Sequence, residues 1–291
     1  MTNRLKGVIA AITTPIGQTG DPDTGAFVSA AQYLLENGCN GLNVLGTTGE
    51  ATSFSVNQRL SVMQAASAGL PVNTLMVGVG AASVTDAVTL AKGAQDCGFG
   101  GALVLPPFYY KGVTDQGIVR YFAEVTAATE KSDMPLYLYN FPALSGIKYT
   151  NVLISALVAE FGDRIAGLKD SSGDLEYSKT QAERKSFDVF PSNEAVLRDA
   201  RNGDFAGCIS ATANVNSEFC RAAFIDGDMD AQQKANEIRA VFSRYELVPA
   251  IKTVVAHIHG DTQLADLKPP LCRLSNVDAD DLVAAFQALV S

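Results

Sequence analysis

Short apolar runs alternate with longer amphipathic segments along most of the chain. The runs recur about every 30 residues, which is typical of units in which a strand is followed by a helix. Eight such units in series, joined by right-handed crossovers, predict an α/β fold, the (β/α)8 TIM barrel. The predicted strands are 7–14, 41–45, 73–79, 102–105, 135–140, 165–169, 187–190 and 207–210.

The strand pattern stops after Asp226. The rest of the chain has the pattern of helices, interrupted by Pro249 and by the pair Pro269 and Pro270. No Gly/Ser-rich linker marks an independent domain. We therefore divide the chain into a barrel, residues 1–226, and a C-terminal helical extension, residues 227–291, that packs on it.

Composition limits the classes of partner. The 291 residues carry a formal net charge of −9, which argues against nucleic acid and against anionic membrane surfaces. No apolar run approaches the ~18 residues of a membrane span, and residues 1–6 lack the long apolar region of a signal peptide. The five cysteines are widely spaced without a C-x-x-C pair, which predicts small buried thiols in a reducing compartment. We expect a cytoplasmic protein.

Unusual polar residues cluster where the predicted strands end. In (β/α)8 barrels, chemistry is built at the C-terminal ends of the strands, so these residues are expected to meet at one face. They are Gly46–Glu50 after the second strand, Tyr109 and Tyr110 after the fourth, Tyr139 in the fifth, Lys169 at the end of the sixth, and Ser210–Asn214 from the end of the eighth.

Lys169 is the most informative of these residues, because lysines rarely lie inside proteins unless they are employed or paired. A desolvated amine can attack a carbonyl; the alternative is a lysine paired with Asp170 at a solvated strand end. Tyr139 is a candidate general acid/base or a buried aromatic with a satisfied hydroxyl. The turn Gly46–Glu50 could hold a carboxylate and relay a proton, or be a turn with a capping threonine.

Other chemistries find little support in the sequence. His257 and His259 are the only histidines, and no carboxylate or cysteine cluster completes a metal site with them. No G-x-G-x-x-G follows a strand, which argues against a dinucleotide. No Gly-rich loop follows the seventh and eighth strands, which disfavours a phosphosugar substrate. We therefore predict neither a metal nor a cofactor.

Four segments together resemble the dihydrodipicolinate synthase / N-acetylneuraminate lyase family. They are Gly46–Glu50, Tyr139–Pro142, Gly167–Asp170 and Ile209–Asn214, in family order and covering nearly the whole chain. The resemblance implies a class I lyase or aldolase whose lysine forms a Schiff base with pyruvate or another 2-oxo acid. It also implies the (β/α)8 barrel and, as is usual in the family, a homotetramer.

Carried over residue by residue, the resemblance makes Lys169 the Schiff-base lysine and Tyr139 the proton shuttle. Thr47 and Thr48, with Gly46 in the same turn, would hold the carboxylate of the 2-oxo acid. Thr48 would also relay protons to Tyr139. The covalent imine on Lys169 would serve in place of a cofactor.

Three further positions follow from the same resemblance. Ile209 would line the imine pocket, and Ser192 stands where many synthases have a glycine near the pyruvate. A tyrosine after the fourth strand usually enters the site of a neighbouring subunit. Tyr109 and Tyr110 compete for that role here, and we favour Tyr109.

One departure bears on the substrate. Synthases of the lysine pathway usually carry an arginine five residues after the shuttle tyrosine, where this chain has Leu144. Hydroxyls at Ser171, Ser172 and Ser192 could bind a polyol tail. We therefore predict cleavage of a keto-deoxy sugar acid or a hydroxy-2-oxo acid to pyruvate and an aldehyde.

Three alternatives stay open. One is a 4-hydroxy-tetrahydrodipicolinate (dihydrodipicolinate) synthase that condenses pyruvate with aspartate semialdehyde. Another is a dehydratase or deaminase that uses the same imine. The contrasting class is a catalytically silent barrel that serves as a binding protein.

Overall fold

Eight parallel strands form one nearly closed sheet in this computed structural model, which describes residues 4–131 and 133–290. The strands are β1 (Gly7–Ala11), β2 (Gly41–Val44), β3 (Leu75–Gly78), β4 (Gly101–Val104), β5 (Leu136–Asn140), β6 (Ile165–Asp170), β7 (Asp188–Pro191) and β8 (Gly207–Ser210). They pair in the order β7-β6-β5-β4-β3-β2-β1-β8. The predicted (β/α)8 TIM barrel is confirmed. Residues 1–3, part of the stretch searched for a signal peptide, and Ser291 lie outside the described residues.

Helices follow the strands and continue beyond the last one. They are α1 (Thr24–Glu36), α2 (Val56–Gly69), α3 (Val84–Asp96), α4 (Asp115–Ala128), α5 (Pro142–Ser145), α6 (Asn151–Phe161), α7 (Leu175–Ala182), α8 (Leu197–Asn202), α9 (Ala213–Arg221), α10 (Met229–Phe242), α11 (Leu247–His259) and α12 (Asn276–Val290). Side-chain caps fix several of the starts. At α2, for example, Ser55 and Gln58 form a reciprocal capping box.

The register of the strands decides which side chains face the barrel axis. Tyr139 of β5 lies beside Lys169 of β6, which in turn lies beside Phe190 of β7. Residues in register project to the same side of a sheet. Tyr139 and Phe190 belong to the cluster that fills the barrel, together with Ile9 and Ile209. Lys169 therefore points into the barrel rather than toward the helices.

The C-terminal helices pack on one another around a cluster of their own that includes Phe242, Ile251 and Leu282. Pro249 lies in the first turn of α11, where proline is tolerated, so the interruption predicted there is wrong. Pro269 and Pro270 do lie between α11 and α12. The division of the chain at residue 226 stays a prediction.

All five cysteines are free thiols. Cys39, Cys208 and Cys220 are buried as predicted, but Cys97 is only half-buried and Cys272 is exposed, so the prediction of buried thiols is wrong for these two. Among the described residues, none of the helices is both long and apolar enough to traverse a membrane.

A buried ion pair connects the extension to the turn that follows β2. Lys252 of α11 contacts the carboxylate of Glu50, and neither side chain is exposed. The Lys252 amine also donates to the carbonyl of Asp266 at 2.6 Å, and the second carboxylate oxygen of Glu50 accepts from the Lys268 backbone N–H at 2.7 Å. Every oxygen and nitrogen of the pair that needs a partner therefore has one.

Lys252→Met should lower the free energy of unfolding by about 3–5 kcal/mol, because it leaves the Glu50 carboxylate buried without its cation. The matched control is Lys179→Met. Lys179 pairs with Glu176 at 3.1 Å on the surface, with 49% and 85% of the two side chains exposed. Loss of such a surface pair should cost less than about 1 kcal/mol. Chemical denaturation of both variants measures the change in the free energy of unfolding. Equal small decreases in the two variants would contradict the larger contribution expected of the buried pair.

Candidate active site

Lys169 lies at the base of a cavity of about 370 Å³ at the C-terminal ends of the strands. It is the penultimate residue of β6 and only 3% exposed. Its amine lies 4.3 Å from the centroid of the Tyr139 ring, a cation–π distance. The amine is thus held in a largely water-free position, in contact with the aromatic ring predicted to work with it.

The Tyr139 hydroxyl lies 3.0 Å from the hydroxyl oxygen of Thr47. Thr48 is buried and also lines the cavity, but the hydroxyl at Tyr139 is that of its neighbour. The contact with Tyr139 that was expected of Thr48 is thus made by Thr47, and the proton relay itself stays a prediction. Which of two adjacent threonines contacts Tyr139 depends on the conformation of the turn, which the sequence pattern does not fix.

The turn that carries both threonines is held from two sides. Leu45 and Glu50, which flank it, both have φ of 52°, in the left-handed region that non-glycine residues seldom adopt. On one side, the Thr14 hydroxyl donates to the Gly49 carbonyl at 2.9 Å. On the other, Lys252 contacts the Glu50 carboxylate. Such over-determined strain is a feature of binding turns.

Asp170 has partners other than Lys169. Its carboxylate accepts from the Asn140 amide at 2.7 Å, from the Ser178 hydroxyl at 2.6 Å and from the Ser172 hydroxyl at 3.0 Å. Successive side chains of a strand point to opposite faces, which separates this carboxylate from the lysine amine. The arrangement favours a nucleophilic lysine over the alternative of a Lys169–Asp170 pair.

The other predicted binding residues are divided between two cavities. Ile209 of β8 is fully buried and lines the Lys169 cavity. Ser192 lines it too, and its backbone N–H donates to the Asp170 carbonyl at 2.8 Å. Gly46 instead lines a second cavity of about 210 Å³, which shares Thr47 and Tyr139 with the first.

The second cavity also contains Leu144 and a buried arginine. Leu144 is 53% exposed and supplies an apolar surface to this cavity, at the position where the resemblance led us to look for an arginine. Arg59 donates to the carbonyls of Gly78 at 2.8 Å and Gly80 at 3.3 Å. Burial lowers the pKa of the Arg59 guanidinium to about 10, so it stays charged at neutral pH.

Tyr109 and Tyr110 lie on the loop after β4, and neither lines the Lys169 cavity of its own chain. They are 74% and 72% exposed, and their rings meet edge to face with centroids 5.4 Å apart. Large exposed aromatics are enriched at subunit contacts. Entry of one of them into a neighbouring site, and the homotetramer that this implies, stay predictions.

Two residues at or beside the cavity were missed at the sequence level. Glu194, fully buried just after β7, accepts from the Ser210 hydroxyl at 2.8 Å and from Arg239 at 2.9 Å. Arg239 belongs to α10 and lines the Lys169 cavity. Glu194 follows the end of a strand, so the search for polar residues at the C-terminal ends of the strands could have found it. Arg239 lies on an amphipathic helix far along the chain and had no such signal.

The two histidines of α11 contact residues of other helices. His257 lies 3.0 Å from the Gln287 amide, and the His259 ring packs edge to face on Tyr33 with centroids 4.8 Å apart. Among residues 4–131 and 133–290, no group of three or more His, Cys, Asp or Glu is placed to hold a metal ion.

The similarity to known proteins extends over nearly the whole chain. Residues 4–289 match the dihydrodipicolinate synthetase family. A DapA-like lyase of Chloroflexus aurantiacus is 31% identical, over 98% of this chain and 97% of its own. A 4-hydroxy-tetrahydrodipicolinate synthase of Rhizobium meliloti is 30% identical, over 86% and 83%.

Solved structures extend the comparison to the fold. The crystal structure of dihydrodipicolinate synthase from Agrobacterium tumefaciens is 29% identical with a TM-score of 0.90, covering 98% of this chain and 99% of that one. A Ruminococcus gnavus sialic acid aldolase, at 21% identity and a TM-score of 0.86, covers 98% of this chain and 97% of its own. At that identity the likeness is one of fold.

Proposed function

The chain belongs to the dihydrodipicolinate synthetase family of class I lyases, and we propose that its Lys169 forms a Schiff base with a 2-oxo acid. The reaction we assign is cleavage of a keto-deoxy sugar acid or a hydroxy-2-oxo acid to pyruvate and an aldehyde. One observation carries the proposal: a buried lysine amine lies against Tyr139, whose hydroxyl contacts Thr47. No cofactor is needed beyond the imine itself.

The chemistry follows from the positions of these groups. The Lys169 amine adds to the C2 carbonyl, and loss of water leaves a protonated imine. The C3–C4 bond then breaks as the C4 hydroxyl loses its proton toward Tyr139. The electron pair of the broken C3–C4 bond moves toward the imine nitrogen, which leaves an enamine. The aldehyde departs, a proton returns to C3, and water hydrolyses the new imine to release pyruvate and free Lys169.

The threonine turn has two tasks in this scheme. The buried Thr48 and the backbone N–H groups of the turn hold the substrate carboxylate, which fixes C2 over the amine. The Thr47 hydroxyl passes the proton to or from Tyr139. Both tasks depend on the same strained turn, so small shifts in its position affect binding and proton transfer together.

The walls of the cavity favour a neutral, hydroxyl-rich tail. Ser171, Ser172 and Ser192 line the cavity beyond Lys169. The lining residues with ionisable side chains are two basic ones, Lys169 and Arg239, and two acidic ones, Asp170 and Asp174; the Asp170 carboxylate is hydrogen-bonded on the other face of its strand. This balance gives no surplus of positive charge for a second carboxylate or a phosphate. A polyol tail, which needs donors and acceptors in equal measure, suits it better.

The synthase reaction is the second candidate, because relatives such as that of Rhizobium meliloti carry this name at 30% identity. Leu144 weighs against it, since an apolar side chain cannot bind the carboxylate of aspartate semialdehyde. A dehydratase or deaminase would use the same imine and differ only in the bond that breaks.

Incubation with pyruvate and borohydride should add one reduced pyruvate to Lys169 and to no other lysine. Lys252 is an internal control, because it is equally buried but occupied by Glu50. Lys169→Arg should gain no mass and should abolish turnover. Mass spectrometry of the digested protein reads the site, and an unmodified Lys169 peptide would refute the Schiff-base function.

Thr47→Val and Thr48→Val form a matched pair of nearly isosteric changes. Loss of the Thr47 hydroxyl should lower kcat by about 10²-fold, since it removes a proton-transfer partner of Tyr139. Loss of the Thr48 hydroxyl should chiefly raise KM, since it removes a carboxylate contact. Steady-state kinetics of cleavage separate the two effects. A larger fall in kcat for Thr48→Val would return the relay to that residue.

A direct comparison of reactions tests the substrate class. The rate of pyruvate release from saturating 2-keto-3-deoxygluconate should exceed the rate of condensation of aspartate semialdehyde with saturating pyruvate. Leu144→Arg should raise the condensation rate, because it supplies the missing cation. Efficient condensation by the unaltered protein would favour the synthase instead.

A further inference from the structure

The C-terminal extension forms part of the cavity wall. Arg239 of α10 lines the same cavity as Lys169, as do Leu247 and Val248 at the start of α11. These residues lie on elements outside the eight strand–helix units. The outer end of the cavity is therefore built by helices whose sequence carries no part of the Schiff-base machinery.

The position of Arg239 is fixed by a buried carboxylate. One terminal nitrogen of its guanidinium donates to Glu194 at 2.9 Å, and lies 3.3 Å and 3.4 Å from the hydroxyl oxygens of Ser210 and Thr212. Glu194 is itself immobilised, because both hydroxyls donate to its carboxylate and Gln232 donates to its backbone carbonyl at 3.0 Å.

These bonds leave part of the guanidinium free. A guanidinium has five N–H donors, and the bonds recorded within the described residues all use the nitrogen Nη1. About a third of the Arg239 side chain, 34%, is exposed. The remaining donors at the cavity wall form a rigid fork whose orientation is set before any ligand arrives, which lowers the entropy cost of binding.

The charge of this fork is already neutralised. Glu194 is fully buried and balances Arg239, and Asp174 on the same cavity is balanced by Lys148 at 3.9 Å. An incoming anion would meet little net positive potential here. A hydroxyl oxygen, by contrast, accepts a charge-assisted hydrogen bond without needing a counter-charge.

We propose that Arg239 is a specificity-determining residue that donates hydrogen bonds to hydroxyl groups at the far end of the substrate. It selects 2-oxo acids with a polyol tail over short ones such as pyruvate. The inference rests on the proposed function, since the carboxyl end of the substrate must be held at Lys169 for the tail to reach α10.

The experiment uses two ligands of different length with the Arg239→Met variant. Pyruvate is the short probe, and its half-saturating concentration in borohydride trapping should be unchanged. 2-Keto-3-deoxygluconate is the long probe, and its kcat/KM should fall about 10–100-fold, mostly through KM, as expected for loss of hydrogen bonds from a charged donor. Arg198→Met, which removes an exposed arginine on α8, should change neither value.

The double variant Arg239→Met/Glu194→Gln controls for loss of stability. The single change leaves the Glu194 carboxylate buried without its cation, and the second change removes that charge. It should behave like the single variant. Equal loss for pyruvate trapping and for cleavage would overturn the proposal, since Arg239 would then only support the Lys169 site. Unchanged cleavage would overturn it as well. No trapping by the unaltered protein would instead defeat the Schiff-base function, and the inference with it.

Discussion

The site depends on keeping one lysine amine out of water at the end of a parallel strand. Burial of a lysine is costly unless its surroundings compensate, and here the compensation is the face of the Tyr139 ring, 4.3 Å away. The pairing of β5 with β6 places that ring directly beside the lysine. The barrel therefore both removes the Lys169 amine from water and aligns it with Tyr139. The adjacent turn adds a hydroxyl, that of Thr47, in contact with the tyrosine.

The sequence predicts the barrel and most of the site because two rules operate locally. Apolar runs mark the strands, and polar residues at their C-terminal ends mark the chemistry. Where tertiary contacts decide, prediction fails. The first strand ends at Ala11 rather than at residue 14, and just beyond it the Thr13 N–H donates to Asn214, a residue 201 positions later. The contact of Thr47 rather than Thr48 with Tyr139 depends on the turn conformation. Pro249 lies in the first turn of a helix that its sequence suggested it would interrupt.

Arg239 shows why long-range residues escape sequence analysis. Its role depends on α10 crossing the rim of the barrel beside the loop after β7, and nothing in the residues around it marks that crossing. Its partner Glu194 follows a strand end and could have been found, but its significance appears only with the cation present. The extension thus makes two contributions to the site. Arg239 lines the cavity, and Lys252 forms the ion pair with Glu50 at the end of the threonine turn.

The contact between Lys252 and Glu50 spans 202 residues of sequence, and this has a consequence for synthesis. Glu50 is translated long before its cation. Domains fold as they emerge from the N-terminus, so the nascent barrel holds an unanchored threonine turn until α11 is released. A chain whose translation stops before α11 therefore lacks the cation that contacts Glu50 beside this turn.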